Sequence, residues 1–337
     1  MRIVDVHNHY YPPAYLDALQ RGPSNVTVTV DASGNPLLHY PGDYNIAVRE
    51  HRDIAYRDDV LRKAGIDRQV LSLTTPGVHV ETPARAADLA RLVNDAFAEV
   101  IATRGPRFSA YATLPLNDPI ASARELERAL RELRLPGAML FSNINGVPLS
   151  DERFQPVYEV ADEYGAVLHI HPTAPVGVEA MQQYWLMPLV GFLFDTTLAA
   201  ASLVFAGVPH RFRRIRWVLG HLGGAIPYIA ERLDRGFEAF RECRVHIDRR
   251  PSEYLKRQFW YDTVNFNADA LMLAVNFAGA DHILAGSDYP HQIGSIEKML
   301  QAITNLPIKE SDRAGIFGGN AERLLNGTEL PEIVARM

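Results

Sequence analysis

Histidines with a spacing of two residues occur twice in this sequence, and the first pair raises the question of metal binding. The segment "DVHNH", residues 5–9, ends the first apolar run, "RIVDVHNH". If this run is a strand, its side chains alternate between the two faces, so His7 and His9 project from the same side. Two imidazoles on one face are a candidate metal-binding pair, because neutral imidazole is a common ligand of divalent metals.

Three later apolar runs also end in residues that can bind a metal, histidine or aspartate. His169 and His171 lie in "AVLHIHP", His221 ends "IRWVLGH", and Asp288 lies in "HILAGSDYP". A set of three of these imidazoles with the carboxylate of Asp288 suits zinc, manganese or iron and leaves coordination positions open for water and substrate. Closed structural sites, by contrast, usually have four protein ligands that include cysteine. Taken together, these residues predict a catalytic metal site.

Eight strand-like runs, separated by amphipathic segments, could position these residues. The runs are rich in branched and aromatic residues, and they begin at Arg2, Arg68, Phe108, Gly137, Ala166, Ile215, Phe259 and His282. This alternation favours a parallel sheet built from βα units, and eight units predict a (β/α)8 barrel, the TIM-barrel class of α/β fold. The carboxyl ends of barrel strands meet at one mouth, where active sites of this architecture lie. We therefore expect one domain over residues 1–337, with the histidines and Asp288 at that mouth.

Two segments depart from the βα rhythm. Residues 22–44 alternate with period two around the turn "ASGNP", which predicts a β-hairpin inserted after the first strand, in a position to cover the mouth. The last residues, "TELPEIVARM", predict a terminal helix packed on the barrel or on another subunit.

Composition and charge narrow the classes of function. The net charge of -6, with both signs scattered along the chain, argues against nucleic-acid binding and favours a small-molecule partner. Cys243 is the single cysteine, which excludes an internal disulfide and a multi-cysteine metal cluster. The longest apolar tract contains Pro188 and Asp195, so we expect no membrane span. The first residues do not have the pattern of a signal peptide, and we expect a cytoplasmic protein.

Four motifs in this order, "DVHNH", "HIHP", "LGHLGG" and "GSDYP", resemble the amidohydrolase superfamily. More narrowly, they are similar to its amidohydrolase-2 branch, which is typified by aminocarboxymuconate-semialdehyde decarboxylase and by hydroxybenzoate decarboxylases of the γ-resorcylate type. The stretches "WLMPLVGFLFDTTLAAASLVFAGV" and "HLGGAIPYIAERLDRG" extend the resemblance over nearly the whole chain. Residues 22–44 match least well.

The resemblance implies a metal site and its ligands. One divalent metal per chain would be bound by His7, His9, His171 and Asp288, with zinc as the first expectation and manganese as the second. His221 would be the catalytic acid/base beside it, and Asp288 would take part in catalysis as well. Binuclear members bridge two metals with a carboxylated lysine after strand four, but this sequence has no lysine between Lys63 and Lys256, which predicts a mononuclear site.

Two further polar residues near the ligands have expected structural roles. His169 precedes the matching histidine of the fifth run, and we expect it to be packed and hydrogen-bonded rather than a ligand. For Asp5, orientation of a ligand histidine and a plain structural role are both open.

Substrate binding is expected from residues outside the metal cluster. A carboxylate substrate favours an arginine. Arg232 matches a family arginine that reaches a neighbouring subunit's site, so the resemblance implies a homodimer; a solvated helix arginine is the open alternative. At a second family arginine the register gives Asn45, with Arg49 and Arg52 nearby and Arg49 as the candidate. This departure from the family pattern leaves the particular substrate open.

Trp185, Phe192 and Phe194 lie in the segment after the fifth run. For each of them, stacking on an aromatic or dienoic substrate and packing in the core are both open, and Trp185 and Phe192 are our candidates for the substrate contact. For His291, just after "SDYP", contact with the substrate and capping of the next helix are both open.

Three functions are compatible with these residues. The resemblance favours a metal-dependent, non-oxidative decarboxylase of an aromatic or muconate-type carboxylic acid. A hydrolase of the same superfamily, a lactonase or an amidase, is the first alternative, because the metal ligands do not separate the two reactions. A non-catalytic metal-binding scaffold is a minor alternative, since all the ligands and His221 are present.

Overall fold

The computed structural model describes residues 2–40 and 43–327, and eight parallel strands form its centre. We number these barrel strands β1–β8: Val4–His9, Arg68–Ser72, Phe108–Ala110, Gly137–Phe141, Val167–His171, Arg216–Leu219, Phe259–Asp262 and Ile283–Leu284. Each strand lies within one of the eight predicted runs. The alternation of apolar runs with amphipathic segments therefore identified every strand of the barrel.

The eight strands close into a barrel in sequence order. Strands β1–β3 and β4–β8 form two parallel sheets, which meet at two seams. At one seam the amide of Ala112, just after β3, donates to the carbonyl of Gly137 on β4 at 2.8 Å. At the other seam, between β8 and β1, the amide of Asp288 donates to the carbonyl of His7 at 2.8 Å. The predicted (β/α)8 barrel is confirmed, and its closing seam joins two candidate metal ligands.

Helices surround the strands. In chain order, α1–α14 among the described residues are Pro13–Arg21, Arg49–Arg52, Ile54–Ala64, Pro83–Arg104, Pro119–Arg131, Gln155–Tyr164, Phe192–Phe205, Val208–Arg211, Ile226–Ala239, Pro251–Arg257, Ala268–Ala278, Ile296–Asn305, Glu310–Ala314 and Asn320–Leu325. Two π-helical turns, Met187–Gly191 and Gly315–Gly319, precede α7 and α14. Single 3-10 turns lie at Gly105–Arg107, Glu152–Phe154, Val178–Met181, His221–Gly223, Arg241–Arg244 and Ala280–His282. Asp118 caps α5 through the amide of Ala121, as its residue type favours.

Strand side chains are buried on both faces of the barrel wall. Every residue of β1, β4, β5 and β6 is buried, since one face packs inside the barrel and the other packs under the helices. Trp217 and Phe259 stack with ring centroids 5.9 Å apart on neighbouring strands. The buried apolar side chains form one continuous core, which holds the strand ends in fixed positions.

The inserted segment differs from the predicted hairpin. After α1 the chain forms three antiparallel strands, Thr27–Val30, Pro36–Tyr40 and Asp43–Ile46, where two strands were expected over residues 22–44. The third strand pairs Leu37 with Ile46 and runs along the mouth of the barrel. A further two-stranded ribbon, Asn143–Ile144 with Val147–Pro148, follows β4 and turns at Asn145-Gly146. The predicted terminal helix lies in residues 328–337, outside the described residues.

One apolar helical segment lies beside the mouth. The π-turn and α7 together span Met187–Phe205, which is long and apolar enough, by length and composition only, to cross a membrane. Buried core helices pass the same test, and this segment carries Asp195, a buried carboxylate that accepts hydrogen bonds from Ser142 and Asn143 at the end of β4. These bonds attach the segment to the barrel.

Candidate active site

The four candidate metal ligands meet at the carboxyl ends of three strands. His7 and His9 end β1, His171 ends β5, and Asp288 follows β8. All four side chains are buried, and one ligand atom from each lies within 4.8 Å of the others. Residues separated by more than 280 positions in the sequence thus share one centre.

A protein group holds each imidazole through its Nδ1 atom. His7 Nδ1 lies 2.5 Å from Asp262 Oδ2, His9 Nδ1 lies 3.2 Å from Ser72 Oγ, and His171 Nδ1 donates to the carbonyl of Pro172 at 2.7 Å. Metal-binding histidines are commonly oriented in this way, with one nitrogen bonded to the protein and the other directed at the metal. The Nε2 atom of His171 is buried without a hydrogen-bond partner in the described part of the chain, as a ligand atom would be before it binds a cation.

Electrostatics also fit a divalent cation. Burial lowers the pKa of His9 and His171 well below the usual range, so both imidazoles are neutral and able to bind a metal. Burial alone would raise the pKa of Asp288, but the neighbouring imidazoles of His221, His7 and His9 hold it well below its usual value. Burial opposes protonation of His7, yet Asp262 and Asp288 raise its pKa to about 10. A cation at Nε2 of His7 would replace that proton and meet the same negative charges.

Asp262, at the end of β7, is a site residue that the sequence analysis missed. Its Oδ2 atom accepts from the amide of His221 at 3.1 Å, in addition to its contact with His7. Its Oδ1 atom accepts from the amides of Leu222 at 3.0 Å and Val264 at 2.9 Å. One buried carboxylate therefore positions both a candidate ligand and the turn that carries the acid/base. The signal was an acid ending the run "FWYDTV", as Asp288 does in the next run.

His221 lies beside the candidate ligands on an unusual turn. His221 and Leu222 have φ values of 53° and 58°, a left-handed conformation that is uncommon for residues with a side chain. Its Nε2 atom is 3.8 Å from Asp288 Oδ2, while Asp288 Oδ1 is 3.0 Å from His9 Nε2. The two oxygens of Asp288 thus face different groups: Oδ1 faces His9 in the ligand cluster, and Oδ2 faces His221, the predicted acid/base.

Asp5 and His169 lie under the ligand cluster. Asp5 accepts from Ser287 Oγ at 2.6 Å and from Gln69 Nε2 at 2.7 Å, and it contacts the backbone rather than the ring of His7. Of the two open roles for Asp5, this geometry favours the structural one. His169 is packed against His7 with ring centroids 4.9 Å apart. Neither of its ring nitrogens has a hydrogen-bond partner among residues 2–40 and 43–327, so the expectation of a hydrogen-bonded ring was wrong.

A second group of potential metal-ligand atoms lies close to the four candidate ligands. His7, His169 and Asp262 also bring potential ligand atoms within 4.8 Å of one another. Here the direct 2.5 Å contact between His7 Nδ1 and Asp262 Oδ2 already satisfies both atoms.

A cavity of about 340 Å³ opens above the cluster. Its floor includes His171, His221 and Asp288, and its walls include the predicted substrate contacts Trp185, Phe192 and His291. The inserted strand Asp43–Ile46 forms another wall, and Tyr44 meets Trp185 with ring centroids 5.7 Å apart. The inserted sheet therefore borders the site, as a cover over the mouth would.

The two predicted arginines are not among the residues that line the cavity. Arg49 turns outward from the one-turn helix α2, donates to Asp53 Oδ2 at 3.0 Å and lies over the ring of Tyr56. The expectation that Arg49 binds substrate is thus corrected, because the turn of α2 directs His51 into the cavity instead. Arg232 is exposed on α9 and does not line the cavity of its own chain.

Comparison with known proteins agrees with this geometry. The family model described as "Amidohydrolase" matches residues 4–327. The chain is 32% identical over 333 residues to 2-amino-3-carboxymuconate-6-semialdehyde decarboxylase of Dictyostelium discoideum, covering 96% of this chain and 91% of the relative.

Two solved structures are similar over nearly their whole length. One is 5-carboxyvanillate decarboxylase from Sphingomonas paucimobilis, with a TM-score of 0.85, 29% identity and coverage of 97% of this chain and 99% of that one. The other is a dihydroxybenzoic acid decarboxylase from Polaromonas sp. JS666 with bound manganese and 2-nitroresorcinol, with a TM-score of 0.81, 26% identity and coverage of 96% and 97%. With the barrel, the ligand cluster and a family match over residues 4–327 in agreement, the chain belongs to the amidohydrolase family, in its amidohydrolase-2 branch.

Proposed function

We propose that this protein is a metal-dependent, non-oxidative decarboxylase, a carboxy-lyase, of an aromatic or muconate-type carboxylic acid, formed as a single domain over residues 1–337. The observation that carries the proposal is the cluster of three imidazoles and Asp288, with His221 beside it, on the floor of the cavity. The decarboxylases named above, which share the fold over nearly the whole chain, support this reaction over hydrolysis.

In this proposal the chain's own residues hold the metal and move the proton. His7, His9, His171 and Asp288 would bind one divalent cation, which would supply a Lewis acid that holds and polarises the oxygens of the substrate. His221 would deliver a proton to the carbon that bears the carboxylate. The bond from that carbon to the carboxylate then breaks, its electron pair returns to the ring or diene, and CO2 leaves. Asp288 Oδ2, 3.8 Å from His221 Nε2, would take part in returning a solvent proton to the imidazole.

For the metal itself we propose zinc, with manganese as the alternative, at one ion per chain. The ligand set suits both ions. The manganese-bound relative supports the alternative. Metal analysis of protein purified without added metal, followed by reloading with each ion and assay, decides between them.

The aromatic side chains around the cavity fit an unsaturated substrate. The ring of Phe192 lies 6.3 Å from that of His171 and 6.4 Å from that of His221, so a flat substrate on the floor would meet its face or edge. Trp185, whose ring contacts that of Tyr44 edge to face, also lines the cavity. We propose that these rings enclose the substrate and exclude water from the reacting carbon.

A second subunit is proposed because the cavity needs a cation for a carboxylate. The described residues that line the cavity include no lysine or arginine. Arg232 lies on α9, and the residue that precedes this helix, Ala225, donates from its amide to Thr197 Oγ1 on α7. The outer face of α7 exposes Phe194 and Leu198, each 60% exposed, an apolar patch that a monomer rarely leaves in water. We propose a cytoplasmic homodimer in which Arg232 completes the neighbouring site.

Complementation between inactive variants tests the shared site. R232A and H221A are each expected to be nearly inactive as purified dimers. After mixing and subunit exchange, a mixed dimer would have one site with both His221 and the partner's arginine, so about a quarter of wild-type activity should return. If Arg232 acted within its own chain, neither site of the mixed dimer would be complete and no activity would return.

The reaction is tested by CO2 release. Protein loaded separately with zinc and with manganese is assayed on hydroxybenzoates and on aminocarboxymuconate semialdehyde, with H221A as the control. The proposal predicts CO2 from at least one acid and none above background from H221A. If no acid releases CO2 while a lactone or amide is cleaved by the same preparation, the hydrolase alternative is correct.

A further inference from the structure

His51 is a buried histidine in the cavity wall that the reaction above does not use. It lies on the one-turn helix α2, and its carbonyl accepts from the amide of Tyr11 at 2.7 Å, which fixes the helix to the end of β1. The side chain is only 2% exposed and lines the cavity. The fold therefore directs this imidazole at whatever occupies the cavity.

The ring of His51 has unused hydrogen-bonding capacity. Neither Nδ1 nor Nε2 has a hydrogen-bond partner within the described residues. The ring is packed between Tyr11, at 5.3 Å between centroids, and His291, at 5.1 Å, and His291 is in turn 4.7 Å from His9. Buried polar atoms are nearly always paired, and a neutral imidazole offers one donor and one acceptor. Burial lowers the pKa of His51 well below its usual value, so the ring is neutral.

The neighbouring polar groups on this wall are already engaged with one another. Thr74 Oγ1 lies 3.3 Å from His291 Nε2, and Asn45 Nδ2 donates to the carbonyl of Thr75 at 2.7 Å. The only formal charge near them on the cavity lining, among the residues described, is carboxylate: Asp43 and Asp288. An anionic ring substituent would find no countercharge on this wall, whereas a neutral donor and acceptor would pair with His51.

We infer that His51 is a specificity-determining residue that hydrogen-bonds a hydroxyl group on the ring of the substrate, on the wall beside His291. The inference rests on the proposed function in one respect, that the substrate is an aromatic acid. It assigns to this wall a ring hydroxyl in addition to the groups that the metal cluster holds.

Ligand binding tests the inference without turnover. The probes are 2-hydroxybenzoate and the four dihydroxybenzoates that add one hydroxyl at ring position 3, 4, 5 or 6. Binding to manganese-loaded full-length protein is read from the rapid quenching of tryptophan fluorescence, since Trp185 lines the same cavity. We expect at least one added hydroxyl to tighten binding roughly tenfold. H51F, which keeps a ring in the packed position, should abolish that gain and leave the affinity for 2-hydroxybenzoate unchanged.

Controls separate this role from a structural one. H79F replaces another buried histidine, which does not line the cavity, and should keep the full gain from the added hydroxyl. H51L gives the same test if H51F does not fold. The inference is overturned if no added hydroxyl tightens binding to the wild-type protein, or if the gain persists in the His51 variants. Failure of CO2 release from every acid would overturn the proposed function alone, because the affinity ratio is measured before turnover.

Discussion

Asp262→Asn is the substitution whose consequences follow most closely from the geometry. The aspartate accepts from two amides through Oδ1 and faces the amide of His221 and the ring of His7 through Oδ2. An asparagine has one oxygen, which the amides of Leu222 and Val264 would keep. Its NH2 group would then face Nδ1 of His7, which has to become the acceptor. The proton of a neutral His7 would move to Nε2, the atom that faces the proposed metal.

The expected losses of metal affinity and of stability in D262N follow from these contacts. Loss of the group that orients a metal-binding histidine typically weakens metal binding about 10- to 100-fold, which corresponds to about 1.4–2.8 kcal/mol. The amide of His221 would also face an NH2 group instead of an oxygen. Leaving this buried donor unpaired should lower the free energy of unfolding of the metal-free protein by about 1–3 kcal/mol.

Metal affinity and stability are measured separately. Competition with a chromophoric chelator gives the dissociation constant for zinc and manganese, and urea unfolding of metal-free protein gives the stability. Asp234 provides a matched control, because it is a buried carboxylate that accepts from the amide and hydroxyl of Ser252 away from the cluster. D234N should lose stability and keep its metal affinity. If D262N binds metal as tightly as D234N, the role assigned to Asp262 is wrong.

Three further predictions concern other parts of the molecule. D288A should lose metal and activity together, while H221A should keep one metal per chain and lose turnover; equal metal loss in both variants would mean that His221 is a ligand. The pKa of His79 is lowered by burial to about 4. The unfolded chain therefore binds an extra proton as the pH falls below about 6.5, and stability contributed above that pH is lost toward pH 4. H79F should reduce the slope of unfolding free energy against pH by up to about 1.4 kcal/mol per unit in this window, as measured by urea unfolding of metal-free protein, and an unchanged slope would contradict the assignment. F194D should convert a dimer into a monomer in light scattering, and a monomeric wild-type protein would refute the proposed interface.

The barrel and the ligand cluster were readable from the sequence because both depend on regular patterns. Buried parallel strands need continuous apolar runs, and the helices between them need amphipathic periodicity, so each strand had its own signal. Once eight barrel strands are assigned, their carboxyl ends must all meet at the same mouth of the barrel. His7, His171 and Asp288 could therefore be placed together without any contact information.

The parts that sequence reasoning missed depend on tertiary contacts. In α2, one helical turn decides that His51 faces the cavity and Arg49 faces solvent, and no periodic pattern over four residues fixes that rotation. Asp262 is a single acid in its run, and its role depends on contacts with His7 on β1 and His221 after β6, which the sequence around it does not reveal. The third inserted strand carries Tyr44, whose ring contacts that of Trp185. The two residues are 141 positions apart in the sequence, so the local alternation of apolar and polar residues does not predict this contact.

The fate of the reacting carbon tests the proposed decarboxylation most directly. The metal-loaded enzyme is allowed to act in D2O enriched in oxygen-18, and the product is examined by NMR and mass spectrometry. Decarboxylation with proton delivery by His221 predicts one CO2 per product and one deuterium on the carbon that carried the carboxylate, with no oxygen-18 in the organic product. A product that gains oxygen-18 without release of CO2 would mean that the site hydrolyses its substrate, and the proposed decarboxylase function would be wrong.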